Sequence, residues 1–199
     1  MSLIHYEKRE IRIKVVFYGP AGAGKSAALQ FVYSRTGDGS PTQRLGNTRD
    51  DGVYYDYLPL RLGDIRGFKT FYDLFTVPGA AEYREARRTI LESVDGVVLV
   101  ADSRPARMQA NVDSLEELGL AMRANGFDLP KMPFVLACGH ADAPDAVDAA
   151  TLGASLLRSQ PNAASVPVFA MDAIRGAGVF DAVKAIAKLT LTELKKGAG

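Results

Sequence analysis

The sequence predicts an α/β fold in three layers, with a mostly parallel six-stranded sheet covered by helices on both faces and one antiparallel strand at its edge. Three observations predict it. Short apolar runs of the kind carried by buried parallel strands alternate along the 199 residues with stretches of helical periodicity. Two aromatic and β-branched runs, residues 53–60 and 68–77, lie close enough in sequence to pair as an antiparallel hairpin. A glycine-rich stretch, Gly19-Pro20-Ala21-Gly22-Ala23-Gly24-Lys25-Ser26, joins the first buried run to the first helical pattern, at the strand end where such sheets bind ligands. The length suits a single domain over residues 1–199.

Each element follows from its own pattern. Residues 11–18 begin in alternation and finish as an apolar run, the mark of a strand entering a buried sheet. Ala28, Leu29, Val32 and Tyr33 recur at helical spacing over 25–35, and the glycines and proline of 37–41 stop that helix. A long loop is expected over 36–52. The hairpin strands are joined through 61–67, and Pro59, which has no N–H to donate, marks the first of them as the edge strand. Pro78-Gly79 breaks the second. A helical pattern at 82–93 leads to a buried strand at 95–102, a helix at 106–125 ended by Gly126, and a strand at 132–138. A helix at 147–159, a strand at 166–171 and a helix at 179–195 complete the alternation.

The glycine-rich stretch fits G-x-x-x-x-G-K-[ST] at every fixed position. In that arrangement the glycines let successive backbone N–H groups close round a phosphate, the lysine ammonium reaches the terminal phosphates, and the hydroxyl binds Mg²⁺. The helix that follows brings the positive end of its dipole to the same place. Gly19, Ala21, Gly22, Ala23, Gly24, Lys25, Ser26 and Ala27 are thus candidate nucleotide-binding residues, and Ser26 is the candidate metal ligand. Lys and Arg number 24 against 23 Asp and Glu, so a net charge of +1 offers no electrostatic case for nucleic acid or an acidic membrane surface. Cys138 is the only cysteine, which excludes an internal disulfide or a multi-cysteine zinc site, and its apolar neighbours suit a buried, inert thiol. The first ten residues lack a signal-peptide core and no later run approaches the length of a membrane span, so a cytoplasmic chain without an integral membrane segment is expected.

Tyr57-Leu58-Pro59-Leu60, Arg66-Gly67-Phe68-Lys69-Thr70, Thr76-Val77-Pro78-Gly79 and Val100-Ala101-Asp102-Ser103 follow one another in a distinctive order. With them the chain resembles the Ras-like small GTPases, and within those the bacterial MglA-type gliding-motility and polarity GTPases. The resemblance covers nearly the whole sequence. It implies a Ras-like P-loop NTPase fold and a guanine-nucleotide switch with GTP or GDP and Mg²⁺ as ligands. It also implies a Roadblock-type, MglB-like protein and motility or polarity effectors as partners.

Several positions depart from that pattern. The family's first switch supplies an Arg finger and a metal-binding Thr, and an ungapped alignment back from Tyr54 puts Asp51 and Gly52 in those places. Thr48 or Arg49 would serve only in a different loop register. The water-orienting Gln that follows Gly79, itself a nucleotide-binding candidate, is replaced by Ala80. Because each of these groups carries a large rate factor in phosphoryl transfer, their loss implies weak or absent hydrolysis. A catalytically inactive pseudo-GTPase acting as a protein-binding scaffold is the alternative, and a P-loop ATPase or kinase a third reading. The base-reading Asn-Lys-x-Asp stands as Gly139-His140-Ala141-Asp142. Asp142 still offers two acceptors for the N1–H and 2-amino group of guanine. Loss of the Asn implies a missing brace on the phosphate loop, and loss of the Lys a missing stem against the base. His140 falls in the base loop and is a nucleotide-binding candidate with Asp142, its side chain expected to be solvated, and Ala173 is the candidate in the last base-contacting loop. Arg84, Arg87 and Arg88 suit a solvated basic face. The aromatic hairpin suits a partner surface as well as ordinary cross-strand pairing.

Overall fold

The protein's structure is a computed structural model that describes residues 3–37, 46–50, 53–79 and 83–197. Its frame is one sheet built round β2 (Glu10–Tyr18), which runs parallel to β5 (Phe68–Thr76) on one side and to β6 (Gly96–Asp102) on the other. β7 (Phe134–Gly139) and β8 (Val168–Ala170) extend the parallel part beyond β6. Every residue of β6 and β7 is buried, which is why both read as unbroken apolar runs rather than as alternation.

Among the described residues five helices cover the two faces. α1 (Lys25–Thr36) and α5 (Val179–Gly197) close over one face, where Leu29, Val32 and Ile186 meet Ile13, Val15 and Phe17 of β2. α2 (Arg84–Ile90), α3 (Met108–Ala124) and α4 (Ala149–Leu156) close over the other, where Leu118, Met122 and Leu152 meet Val16 and Tyr18. Successive residues of β2 therefore serve opposite layers. Leu118 is fully buried, so its truncation to Ala would cost about 2–5 kcal/mol.

Among the described residues the sheet has eight strands, two more than the expected six. One addition is β1 (Leu3–His5), antiparallel to the start of β2. The other is β3 (Gly46–Asp50), which lies inside the stretch expected as loop and pairs antiparallel with β4 (Val53–Ile65). Its sequence, GNTRD, has no apolar alternation, because a strand at the sheet edge is held by its backbone ladder and leaves no pattern in its side chains. β4 is consequently not the edge over Val53 to Tyr57, and Pro59 sits past the end of the β3 ladder, facing Asp73 of β5.

The hairpin between β4 and β5 also turns later than the composition suggests. The loop expected over 61–67 shrinks to Arg66-Gly67, with φ of 48° and 80°, the left-handed pair that matches the twist of two-residue hairpins. Residues 61–65 continue β4 through a register shift between Arg61 and Asp64. On the outer face of this hairpin Tyr57 stacks on Phe75 at 4.8 Å, and Arg12 and Lys14 lie over Phe71 and Phe75. Tyr57, Phe71 and Phe75 are thus half-buried against their own neighbours. Among the described residues no helix is long and apolar enough to cross a membrane.

Candidate functional site

The carboxyl ends of β2, β5, β6 and β7 point the same way, and the segments leaving β2, β5 and β7 come together with the loop after β8 around a cavity of about 610 Å³. Its lining includes Ala21, Gly22, Gly24, Lys25, Ser26 and Ala27 from the phosphate loop and the start of α1. Gly79 lies on one side, and His140, Asp142 and Ala173 lie on the other. Ala23, within the loop itself, is fully buried, and Gly19 lines a neighbouring cleft. Asp51, Gly52 and Ala80, the positions the alignment assigned to the family's hydrolytic groups, lie outside the described residues. Thr48 and Arg49 belong to the backbone ladder of β3, opposite Tyr55 and Tyr54.

Two glycines allow this convergence. A Cβ at Gly79 would come within 2.3 Å of the Ala21 nitrogen, and a Cβ at Gly139 within 2.3 Å of the Ala23 carbonyl oxygen. Side chains at either position would push the flanking loops off the phosphate loop.

Lys25 is 6 % exposed, and its Nζ donates to the carbonyls of Gly19 (2.7 Å) and Pro20 (2.8 Å). Burial pushes its pKa down to about 8, the charge of Arg87 adds to the effect, and Asp56 opposes it. The ammonium thus sits in a site that destabilises its charge until an anion arrives. Asp56, on β4, is the main acidic group that the sequence reading passed over. Its carboxylate accepts from Thr76 Oγ1 at 3.0 Å, and both residues line the cavity. Asp56 shares the inward phase of β4 with Leu58 and Leu60, and a carboxylate on a core phase was the available signal. Tyr55, Val77, Pro78, Tyr83, Asp172 and Ile174 also line the cavity. Among the described residues no three His, Cys, Asp or Glu side chains cluster as a ready-made metal site.

At the other end of the cavity the expected geometry needs correcting. His140 is not simply a solvated loop residue. With φ of 55°, it brings Nε2 to 2.7 Å from the Gly22 carbonyl, which only accepts, so Nε2 carries the proton and donates. The phosphate loop therefore keeps a brace from the base loop although Gly139 stands in place of the Asn. Asp142 is half-exposed and pairs with Arg175 at 3.3 Å. Arg175 also reaches Asp172 at 3.2 Å. Asp172 accepts the backbone N–H groups of Ile174 and Arg175, and those bonds, Arg175's first, hold its carboxyl below the usual range. This turn carries the exposed Ile174 to the mouth of the cavity.

Arg87 is a second correction. Arg84 and Arg88 are exposed, but Arg87 is 3 % exposed and donates to Glu117 of α3 (2.6 Å) and to the Pro78 carbonyl (3.1 Å). It locks the segment after β5 against α3. The Cys138 thiol is buried and pushed up to about 12 by that burial, so it is inert as expected.

A phosphate-type loop between a buried parallel strand and a helix, joined at one cavity by loops from three further strands, defines a Ras-like P-loop nucleotide-binding fold. The chain belongs to the ADP-ribosylation factor family, which it matches over residues 1–190. It is also 45 % identical over 199 residues to the Mutual gliding-motility protein MglA of Myxococcus xanthus (strain DK1622), an alignment covering 99 % of this chain and 100 % of that protein. The MglA-type resemblance drawn from the motifs is borne out at full length.

Proposed function

We propose that this chain is a guanine-nucleotide-binding switch, similar to MglA, that couples its nucleotide state to cell polarity or gliding motility and hydrolyses GTP weakly or not at all. The observation that carries the reading is that one cavity holds a buried lysine and Asp142 together. Its volume, about 610 Å³, falls in the range of small-molecule sites. In this reading Lys25 and the loop N–H groups hold the phosphates, and Ser26 holds Mg²⁺ with Asp56 as the nearby carboxylate. Asp142 accepts from the guanine N1–H and 2-amino group, and Ala173 lies in the loop beside it. Mg²⁺ supplies charge neutralisation at the phosphates. Asp51, Gly52 and Ala80 carry none of the side chains that would complete an Arg finger, a metal-sensing Thr or a water-orienting Gln, which is the support for slow hydrolysis. The protein acts in the cytoplasm, with a Roadblock-type protein and motility or polarity effectors as its partners.

The test is to denature the purified protein, identify any released nucleotide, and then measure GTP and ATP binding and single-turnover hydrolysis with and without a Roadblock-type partner. Guanine nucleotide in the release, with slow hydrolysis in the protein alone, is the expected result. Preferential release of adenine nucleotide, or no binding of either triphosphate at micromolar concentration, overturns it. GTP that stays intact for hours with the partner present turns the reading to the scaffold.

A further inference from the structure

Four successive carbonyls of the phosphate loop accept hydrogen bonds from basic side chains. Lys25 takes Gly19 and Pro20, and His140 takes Gly22. The remaining one, Ala21, accepts from Arg107 Nη2 at 2.8 Å. Arg107 closes the short 3-10 turn Pro105–Arg107 ahead of α3, and its Nε lies 3.5 Å from Oδ2 of Asp102. Asp102 is fully buried at the end of β6. Its carboxylate also binds Arg104 through two side-chain bonds, and its backbone is fixed on both sides by Asn111. A rigid anchor in the sheet is thereby connected, through one guanidinium, to the third residue of the phosphate loop.

We propose that Arg107 is a positioning residue for phosphate binding, holding the loop from outside the cavity. This rests on the reading of the loop as a phosphate cradle. In a trans peptide the N–H of Gly22 lies opposite the C=O of Ala21. Fixing that oxygen fixes the direction of the next donor. Lys25 must leave its carbonyls to meet a phosphate, whereas Arg107 lines the adjacent cleft with Gly19 and Arg87 and not the cavity itself. Its bond survives occupation of the site. The planar fork also spans two acceptors at once, a carboxylate and a carbonyl, which an ammonium does less well.

Stopped-flow association and dissociation of fluorescent GDP, with urea unfolding of the nucleotide-free protein, would test this on wild type, Arg107→Ala, Arg107→Lys and Arg104→Ala. Arg107→Ala is expected to lose about tenfold in GDP affinity, chiefly by faster dissociation, as a charged donor to a carbonyl warrants. Arg107→Lys should recover part of the loss, and the GDP-to-ADP preference should not change because Asp142 is untouched. Arg104→Ala removes a partner of the same Asp102 without touching the loop, so its GDP dissociation should stay within about twofold of wild type. Arg107→Ala within twofold of wild type, or a loss that Arg104→Ala matches, overturns the role of Arg107 alone. A wild-type protein that binds no nucleotide overturns the cradle as well.

Discussion

At the phosphate end of the cavity Lys25 is 6 % exposed and shares two carbonyls. At the base end, Asp142 leaves 44 % of its side chain exposed and holds one arginine at 3.3 Å. At the first end the loop is cross-linked to β6, β7 and α1, and the buried Lys25 ammonium acts in a low effective dielectric, so its loss is felt in full. The second is a wet ion pair, screened and worth little in itself. Under the proposed function, the grip on phosphate gains from the burial of Lys25, while the choice of base rests on a single carboxylate that water also reaches.

The largest test of that contrast is Lys25→Met. It should lower GDP affinity by about two to three orders of magnitude, as expected when one partner of a buried charge pair is removed, in a calorimetric titration. The same residue sets a pH dependence. Its folded pKa of about 8 lies below the ordinary value near 10.4, so the unfolded chain binds more protons between those values and stability rises with pH across that window. The stabilisation is present above the unfolded pKa and is lost as pH falls through about 8. Urea unfolding of nucleotide-free protein should show it, by up to about 3 kcal/mol, and Lys25→Met should abolish it.

Arg87→Ala comes next. It strips Glu117 and the Pro78 carbonyl of a buried donor, so the protein should lose about 2–3 kcal/mol of stability in urea, the cost of a hydrogen bond to a charged group. If the loss is below 1 kcal/mol, the segment after β5 is less tightly coupled to α3 than its distances suggest. Asp142→Ala should reduce the preference for GDP over ADP by about tenfold and leave the phosphate contribution intact. The smallest effect belongs to Arg175→Ala, whose exposed pair with Asp142 is worth about 0–1 kcal/mol. Competitive displacement should move GDP affinity by no more than about fivefold. A larger change would show that the base end is not as solvent-screened as its exposure implies.

The difference between the two ends also explains what could be read from residue order. The phosphate loop is legible because one contiguous stretch supplies all its glycines, its lysine and its hydroxyl, each at a fixed spacing. The helices and the buried strands β6 and β7 are legible because burial on a whole face leaves its period in the side chains. β3 was not, since GNTRD shows no apolar alternation and its pairing runs through the backbone ladder. Arg87 read as part of a solvated basic face, because three arginines in a short helix look alike until α3 is seen to lie over one of them. His140 was likewise opaque. Nothing in Gly139-His140-Ala141-Asp142 says that a left-handed backbone will aim the ring at Gly22.

Residue order by itself determined the layered α/β class, the phosphate loop, the surviving Asp142 and the MglA-type resemblance, because each depends on local spacing or on a contiguous motif. Tertiary structure alone decided that Asp56 lies beside Thr76, that Arg87 is locked to Glu117 and that Arg107 and His140 hold the loop's carbonyls. These contacts join residues from 20 to 118 positions apart. Their formation depends on how the sheet orders its strands and brings their ends together, and no local period records that.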